Sequence, residues 1–136
     1  MLILERQYVD EMIAHALEES PNECCGILAG KDGRCVKLYR ALNAEASPYR
    51  YNMDPDDLFR IYREIEKSGW DILAIYHSHT FSEAHPSQTD INLAFYPESY
   101  YILVSLMNPE QPIVRAFRID REDRTVAEHE VHVVSE

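Results

Sequence analysis

The feature that most constrains this chain is an apolar run, residues 72–76, that leads directly into a pair of histidines. A continuous apolar run of this length is typical of a strand buried inside a sheet. His77 and His79 are two positions apart, so on a strand both imidazoles leave the same face. Asp90 follows eleven residues after His79 and lies just inside a predicted helix that Ser87 can cap. Two imidazoles and one carboxylate, with a fourth position left to water, would make an open zinc site suited to hydrolysis.

Each part of this pattern has a simpler explanation when it is taken alone. Ser87 and Asp90 have the spacing of a helix capping box, which would explain both residues without any chemistry. A His-x-His pair can be two polar residues near the end of a strand. The combination of both parts in one short stretch is what favours a metal site, since a motif gains meaning from its structural context.

Residues 77–90 read His-Ser-His, then seven residues, then Ser-x-x-Asp, and they resemble the JAMM (MPN+) metallopeptidase signature at every fixed position. That family also has an upstream glutamate, and Glu23 stands in matching local sequence, Pro-Asn-Glu-Cys-Cys-Gly. The likeness extends to residues 23–30, 43–48 and 100–105, and so it covers most of the chain. The resemblance implies a cytidine-deaminase-like core.

The resemblance also implies a role for each signature residue. His77, His79 and Asp90 would hold one Zn²⁺ per chain, and the metal would lower the pKa of its water to about 7. Glu23 would be the general base, a contribution of ~10²–10⁴-fold in rate. Ser87 would donate a hydrogen bond to the oxyanion, an effect of ~2.7–4 kcal/mol for one donor. The alternative for Glu23 is a solvated carboxylate at the start of a strand, because its spacing from His77 fixes no geometry.

Composition and charge narrow the class of protein further. The 136 residues predict one domain, 1–136, with a core that needs no disulfide or structural metal. No apolar stretch approaches the ~20 residues of a membrane span, and the N-terminus lacks a signal-peptide pattern. Three cysteines without an export signal indicate a reducing, cytoplasmic location. The net charge of −11 argues against nucleic acid and anionic membranes as partners.

The order of helical and strand patterns predicts an α/β or α+β domain with a mixed, mostly antiparallel curved sheet flanked by helices. The resemblance implies the same MPN/JAMM architecture. His15 lies on the first helix and is expected to be partly exposed. The predicted helices are residues 5–20, residues 55–68 after an N-cap at Asp54, and residues 88–96. The predicted strands are residues 2–4, 25–29, 35–42, 72–79, 101–106, 113–119 and 126–134.

Three further residues lie close to the signature. Cys24 and Cys25 adjoin the proposed base and would face opposite ways on a strand. One is expected to pack in the core, where a free cysteine behaves as a small hydrophobe. The other could contact substrate or bind metal, and neither is assigned as a nucleophile. His85 lies in the loop between the ligands, as a surface residue or as a substrate contact.

Within the family, the chain looks like a prokaryotic branch of sulfur-carrier-protein–cysteine peptidases. This resemblance implies hydrolysis of the amide after the C-terminal Gly-Gly of a small ubiquitin-like carrier, which releases cysteine. Two alternatives stay open: an isopeptidase that removes a ubiquitin-like modifier from protein lysines, and a non-catalytic MPN scaffold. Such scaffolds typically lack the metal ligands, which are present here. Family members often self-associate, so a homodimer is a further expectation.

Overall fold

The computed structural model describes residues 1–135, and over these residues the chain forms eight strands and three helices. The strands are β1 Leu2–Glu5, β2 Cys25–Lys31, β3 Arg34–Ala41, β4 Asp71–His79, β5 Tyr100–Ser105, β6 Ile113–Asp120, β7 Thr125–His129 and β8 Val131–Val134. The helices are α1 Arg6–Glu19, α2 Pro55–Ser68 and α3 Gln88–Asn92.

Six strands form one sheet in the order β3-β2-β4-β5-β6-β7. β4 and β5 run parallel, whereas each other pair of neighbours in this sheet is antiparallel. β1 and β8 form a separate parallel pair. β4 therefore lies inside the large sheet, between β2 and β5, and both edges of its backbone are hydrogen-bonded.

The sheet has an apolar cluster on each face because residues of its inner strands alternate in direction. On β5, Tyr101 and Leu103 belong to one cluster, whereas Ile102 and Val104 belong to the other. α1 covers the second cluster through residues such as Met12. α2 and α3 contribute to the first. The predicted architecture, a mixed and mostly antiparallel sheet flanked by helices, is confirmed.

The boundaries of α2 follow from local chemistry. Asp54 accepts a hydrogen bond from the Asp57 N–H at 3.1 Å, and Pro55 occupies the first helical position. Gly69 ends the helix at φ 73°, a left-handed conformation that glycine adopts without steric cost.

Among the described residues, no helix combines the length and the apolar character needed to cross a membrane.

The C-terminal segment differs from its prediction. The expected strand 126–134 is two strands, because the chain leaves the large sheet after β7 and continues as β8 beside β1. The Leu2 N–H donates to the Glu130 carbonyl at 2.8 Å at the crossover. Val131 and Val133 then pack against the cluster that contains Leu2. Partial burial of these two valines on the α1 side favours the switch.

The third helix is shorter than predicted, since it ends at Asn92 and not at residue 96. The Leu93 N–H still bonds to the carbonyl four residues back, at 3.1 Å. The Ala94 N–H bonds three residues back, and the Phe95 N–H bonds two residues back to Leu93. The α-helical hydrogen-bond pattern therefore ends at Leu93 and is followed by tighter turns.

His15 is buried, so the prediction that it is partly exposed is wrong. Its exposed fraction is 4%, and its Nδ1 lies 2.7 Å from the hydroxyl of Tyr76 on β4. The ring edges meet in a T-shaped arrangement. The hydrogen-bond partner of His15 lies 61 residues away in the sequence, so helical spacing could not predict its burial.

Tyr76→Phe is expected to lower the free energy of unfolding by about 1–3 kcal/mol, because it leaves the His15 Nδ1 buried without its partner. Urea denaturation would measure this change. The matched control is Tyr49→Phe, the same change at an exposed tyrosine, which should stay within about 0.5 kcal/mol of the wild type. Equal effects of the two substitutions would contradict the proposed role of the hydrogen bond.

Candidate metal centre

The C-terminal end of β4 places both histidines in the protein interior. His77 and His79 leave the face that also carries Ile75, and they are 1% and 5% exposed. The parallel ladder with β5 continues through this end, where His79 pairs with Ser105. The Leu106 N–H also donates to the His79 carbonyl at 2.9 Å. The backbone that carries both imidazoles is therefore held by hydrogen bonds from β5 and the residue after it.

Asp90 reaches the same place from α3. The Ser87 hydroxyl accepts a hydrogen bond from the Asp90 N–H at 3.1 Å, and the Ser87 N–H donates to Asp90 Oδ2 at 2.9 Å. This reciprocal pair is a capping box. The carboxylate is buried, and its second oxygen is left to face β4. Helix capping and ligand placement are thus two consequences of one local structure.

The three side chains converge on one point. One possible ligand atom from each of His77, His79 and Asp90 lies within 4.8 Å of the others. His79 Nε2 is 2.9 Å from Asp90 Oδ2, and His77 Nε2 is 3.1 Å from Asp90 Oδ1. His79 Nδ1 lies 2.9 Å from the Glu83 carbonyl oxygen. Because a carbonyl oxygen can only accept a hydrogen bond, Nδ1 carries a proton. His79 Nε2 is then the nitrogen that faces His77 and Asp90.

Buried ring nitrogens without hydrogen-bond partners and a buried carboxylate make this group suited to binding a cation. The contact of His77 Nε2 with Asp90 lacks hydrogen-bond geometry, and neither ring nitrogen of His77 has a hydrogen-bond partner in residues 1–135. Burial lowers the pKa of His77, and the neighbouring Asp90 acts to raise it. Burial opposes the charge on Asp90 as well, but His77 and His79 outweigh it and hold the pKa of that carboxyl well below its usual range.

Burial also opposes the charged form of His79, but the hydrogen bonds to Asp90 and to the Glu83 carbonyl outweigh it and raise the pKa of His79. A proton on His79 would place a positive charge beside the buried carboxylate of Asp90. A divalent cation would take over that role.

Strand pairing carries Glu23 to this site. In the antiparallel ladder of β2 and β4, Cys25 is opposite His77. The Ser78 N–H donates to the Cys24 carbonyl at 3.1 Å, and the Cys24 N–H donates to Ser78 Oγ at 2.8 Å. The register therefore continues beyond β2 and brings Glu23 level with His79, on the face of the sheet that holds both imidazoles.

The Glu23 carboxyl is buried, and its hydrogen-bonding capacity is not fully satisfied. Its exposed fraction is 4%, and Oε1 has no hydrogen-bond partner among the described residues. Burial raises the pKa of Glu23 to about 8, with His79 acting to lower it and Asp90 to raise it. A carboxyl of this kind, beside possible metal ligands, is typical of a proton-transferring group. The prediction that Glu23 is a solvated carboxylate is therefore the weaker one.

The donor set fits zinc. Two imidazole nitrogens and one carboxylate oxygen are the protein ligands of many catalytic zinc sites, which keep a further position open. The unpartnered nitrogens of His77 and the buried carboxylate of Asp90 are the groups that a cation would satisfy. His77, His79 and Asp90 could hold the ion, and the free oxygen of Glu23 could receive a proton.

Other residues near the group have different positions. Ser87 is exposed, and its hydroxyl accepts from the backbone, so its proton is free for a further hydrogen bond. Cys24 and Cys25 are both buried, in opposite core clusters, and burial raises the pKa of Cys24 to about 12. Both thiols thus pack in the core, and the expectation that one contacts substrate or metal is wrong. His85 is exposed, with its ring edge against Phe117.

Residues outside the motif support the group, and no local pattern in the sequence predicts them. The ring of Tyr51 stacks on His77 with centroids 4.3 Å apart, although Tyr51 lies in an irregular connection. Arg121 Nε donates to the Asn92 carbonyl at 2.8 Å, and Arg124 donates to the Asn92 and Gln88 side chains. Both arginines belong to the turn after β6 and hold the short helix that carries the aspartate. No local pattern in the sequence connects that turn with α3.

Fold and site together define a metallopeptidase of the JAMM class, in which a buried His-His-Asp group stands at the end of an inner strand. The family model described as prokaryotic homologs of the JAB domain matches residues 5–120. The chain belongs to this family.

Known proteins similar to this chain agree with that assignment. CysO-cysteine peptidase of Mycobacterium bovis is 38% identical over all of this chain and 93% of its own length. Desampylase of Haloferax volcanii is 36% identical over 71% of this chain and 74% of its own length. The solution structure of protein DSY2949 from Desulfitobacterium hafniense is 35% identical, has a TM-score of 0.87, and aligns over 100% of this chain and 94% of its own.

More distant structures share the fold. The crystal structure of AF2198, a JAB1/MPN domain protein from Archaeoglobus fulgidus, has a TM-score of 0.62 at 20% identity, over 99% of this chain and 100% of its own.

Zinc is expected to stabilise the wild-type chain and to have no such effect on His77→Ala. A ligand that binds only the native state adds about 2.7 kcal/mol at a free concentration 100 times its Kd. Thermal unfolding with zinc and after chelation would measure this shift. His132→Ala, the loss of an exposed imidazole, is the matched control and should respond like the wild type. A full zinc response in His77→Ala would contradict the assignment of this site.

Proposed function

We propose that this chain is a zinc-dependent peptidase that cleaves the amide bond after the C-terminal Gly-Gly of a small ubiquitin-like sulfur-carrier protein and releases cysteine. The observation that carries the hydrolytic part is the buried, unpartnered oxygen of Glu23 level with the His-His-Asp group. The substrate class is supported by the 38% identity, over the whole chain, to a CysO-cysteine peptidase.

In the proposed mechanism His77, His79 and Asp90 would hold one Zn²⁺ per chain. Zinc, when bound, supplies Lewis acidity and lowers the pKa of a water to about 7. Glu23 accepts the proton of the attacking water at its free Oε1 and delivers it to the leaving amine nitrogen. Its burial suits proton transfer, because a carboxyl whose pKa lies near ambient pH can both take up and give up a proton.

Ser87 is proposed to stabilise the oxyanion that develops on the scissile carbonyl. Its Oγ already accepts from the Asp90 N–H, so the hydroxyl proton can be donated outward without loss of the helix cap. One such donor contributes ~2.7–4 kcal/mol to transition-state stabilisation in other enzymes. The capping box fixes the hydroxyl beside the ligand Asp90, which is the preorganisation that this effect requires.

The carrier tail is proposed to bind as an extended strand beside residues 50–53. The Ala44 N–H donates to the Asn52 carbonyl at 2.8 Å, so this segment pairs with the chain on one side. We expect the backbone groups of Tyr51 to face the other side, because alternate residues of an antiparallel pair do so. A cavity of about 170 Å³ lies next to it, lined mainly by apolar residues that include Ile75 and Leu58. Such an edge with a pocket suits β-augmentation by a flexible tail.

A second candidate function is removal of a ubiquitin-like modifier from protein lysines. The 36% identity to a desampylase over 71% of the chain favours it. It differs from the first only in the leaving amine, a lysine Nε in place of the amino group of free cysteine. A non-catalytic scaffold is not favoured, since the five signature residues are present and possible ligand atoms of His77, His79 and Asp90 lie within 4.8 Å of one another.

We propose further that the chain acts as one domain, 1–136, in the cytoplasm. The three cysteines form no disulfide within the described chain, which suits a reducing compartment. The net charge of −11 supports a protein partner over nucleic acid or membrane. A homodimer stays a prediction.

Glu23→Gln is expected to lower kcat by about 10²–10⁴-fold and to leave the zinc content near one per chain, because it removes the proton acceptor and no ligand. The substrate is a carrier that ends in Gly-Gly-Cys, and the measurement is release of free cysteine together with metal analysis. Glu45→Gln, the same change at an exposed glutamate of the neighbouring connection, is the matched control and should keep wild-type activity.

The same assay separates the two candidate functions. The carrier joined to the Nε of a lysine peptide is offered beside the carrier–cysteine conjugate, and kcat/KM is compared. We expect a higher value for the carrier–cysteine amide. A higher value for the isopeptide would favour the second candidate, and turnover of neither by a zinc-loaded wild type would contradict both.

A further inference from the structure

Asn43 is a buried polar residue, 8% exposed, that the proposed chemistry does not use. Its carboxamide makes four hydrogen bonds. Nδ2 donates to the Glu23 carbonyl at 3.0 Å and to the Arg50 carbonyl at 3.1 Å. Oδ1 accepts from the Glu45 N–H and the Asn52 N–H, both at 3.0 Å. Two acceptors on one side and two donors on the other fix the orientation of the amide and use its whole capacity.

These bonds join two segments that both reach the metal group. Glu23 lies two residues before Cys25, the first residue of β2, so its backbone is outside that strand. Its N–H donates to the Ser47 carbonyl at 2.8 Å, and its carbonyl accepts from Asn43. The connection after β3 therefore holds the backbone of Glu23 at both its N–H and its C=O. The same connection carries Tyr51, whose ring stacks on His77.

A second side chain joins the loops at this end of the sheet without touching Glu23. Thr80 Oγ1 lies 2.9 Å from the Pro21 carbonyl and 3.2 Å from the Pro48 carbonyl, and it has one proton to donate between them. Asn43 alone among the side chains of residues 1–135 donates to the backbone of Glu23 itself. From this position one side chain can fix the main chain of Glu23 relative to the segment that carries Tyr51.

We propose that Asn43 is a positioning residue that fixes the carboxylate of Glu23 against the metal group. This inference rests on the proposed function only for the role of Glu23 as the base. Proton transfer needs the donor and acceptor within hydrogen-bond reach, and a displacement of about 1 Å can cost about 10²-fold in rate. Asn43 is not a metal ligand, so its loss acts on the base and not on zinc binding.

Asn43→Asp tests this role, since it keeps the shape and the acceptor oxygen and removes both N–H donors. We expect kcat to fall about 10–100-fold, with KM and the zinc Kd unchanged. The matched control is Asn108→Asp, an exposed asparagine whose Oδ1 also accepts from a backbone N–H, that of Glu110. It adds the same charge and should keep wild-type kcat. Parallel losses of kcat and zinc affinity in Asn43→Asp would overturn the inference, because they indicate general disruption.

A double-mutant cycle separates positioning from a purely structural role. In the Glu23→Gln background there is no base to position, so Asn43→Asp should change single-turnover hydrolysis by less than about 2-fold. If Asn43→Asp slowed hydrolysis by the same factor in both backgrounds, its effect would not pass through Glu23 and the inference would fail.

Amide hydrogen exchange in the wild type tests the same geometry without a substrate and without a variant. The backbone N–H groups of Glu23 and Asn52, and the side-chain amide of Asn43, should exchange as slowly as the inner strand β4. Fast exchange at these groups would overturn the inference. Slow exchange in a zinc-loaded protein that hydrolyses neither conjugate would contradict the proposed function and leave the placement of Glu23 by Asn43 supported.

Discussion

The antiparallel pairing of β2 with β4 is the interaction on which the site depends. It sets Cys25 opposite His77, and two residues further along it brings Glu23 level with His79. A slip of one residue would turn Glu23 to the other face of the sheet, where α1 packs. The register is held because both strands carry apolar side chains on both faces, so a slip would disturb two buried clusters at once. The core thus fixes the relative position of the proposed base and two of the proposed ligands.

The third proposed ligand is held in a different way. A helix of one turn has little stability of its own, and α3 is held in place at both ends. Ser87 and Asp90 cap its start, and arginines from the turn after β6 bond its end at Asn92. The capping and metal-ligand explanations of Ser87 and Asp90 are therefore compatible. The cap orients the carboxylate, and the carboxylate that completes the cap faces the two histidines.

Much of this arrangement could be predicted from the sequence, because strand and helix periodicity act locally. The buried strand before His77, the cap at Asp54 and the end of α2 at Gly69 all follow from neighbouring residues, and the structure agrees with them. The placement of Glu23 needed the family resemblance, since 54 residues separate it from His77. The pairing of β1 with β8 has no local signal in the sequence. It depends on which apolar cluster of the folded sheet would otherwise be exposed to solvent.

The supporting residues were beyond local patterns for the same reason. Asn43 looks like an ordinary loop asparagine in the sequence, and its importance lies in four bonds to backbone groups that only the fold assembles. The burial of His15 likewise depends on a tyrosine from the inner strand. In each case a polar residue has a specific partner distant in sequence, and periodicity describes only how residues alternate between core and solvent.

The most direct test of this account is anomalous X-ray diffraction at the zinc edge from crystals of the zinc-loaded protein. We expect one peak per chain, about 2.0–2.2 Å from a nitrogen of His77, a nitrogen of His79 and an oxygen of Asp90. The Glu23 carboxylate should lie outside ligand distance and face the open side of the ion. A peak elsewhere, or Glu23 as a direct ligand in place of Asp90, would contradict the account.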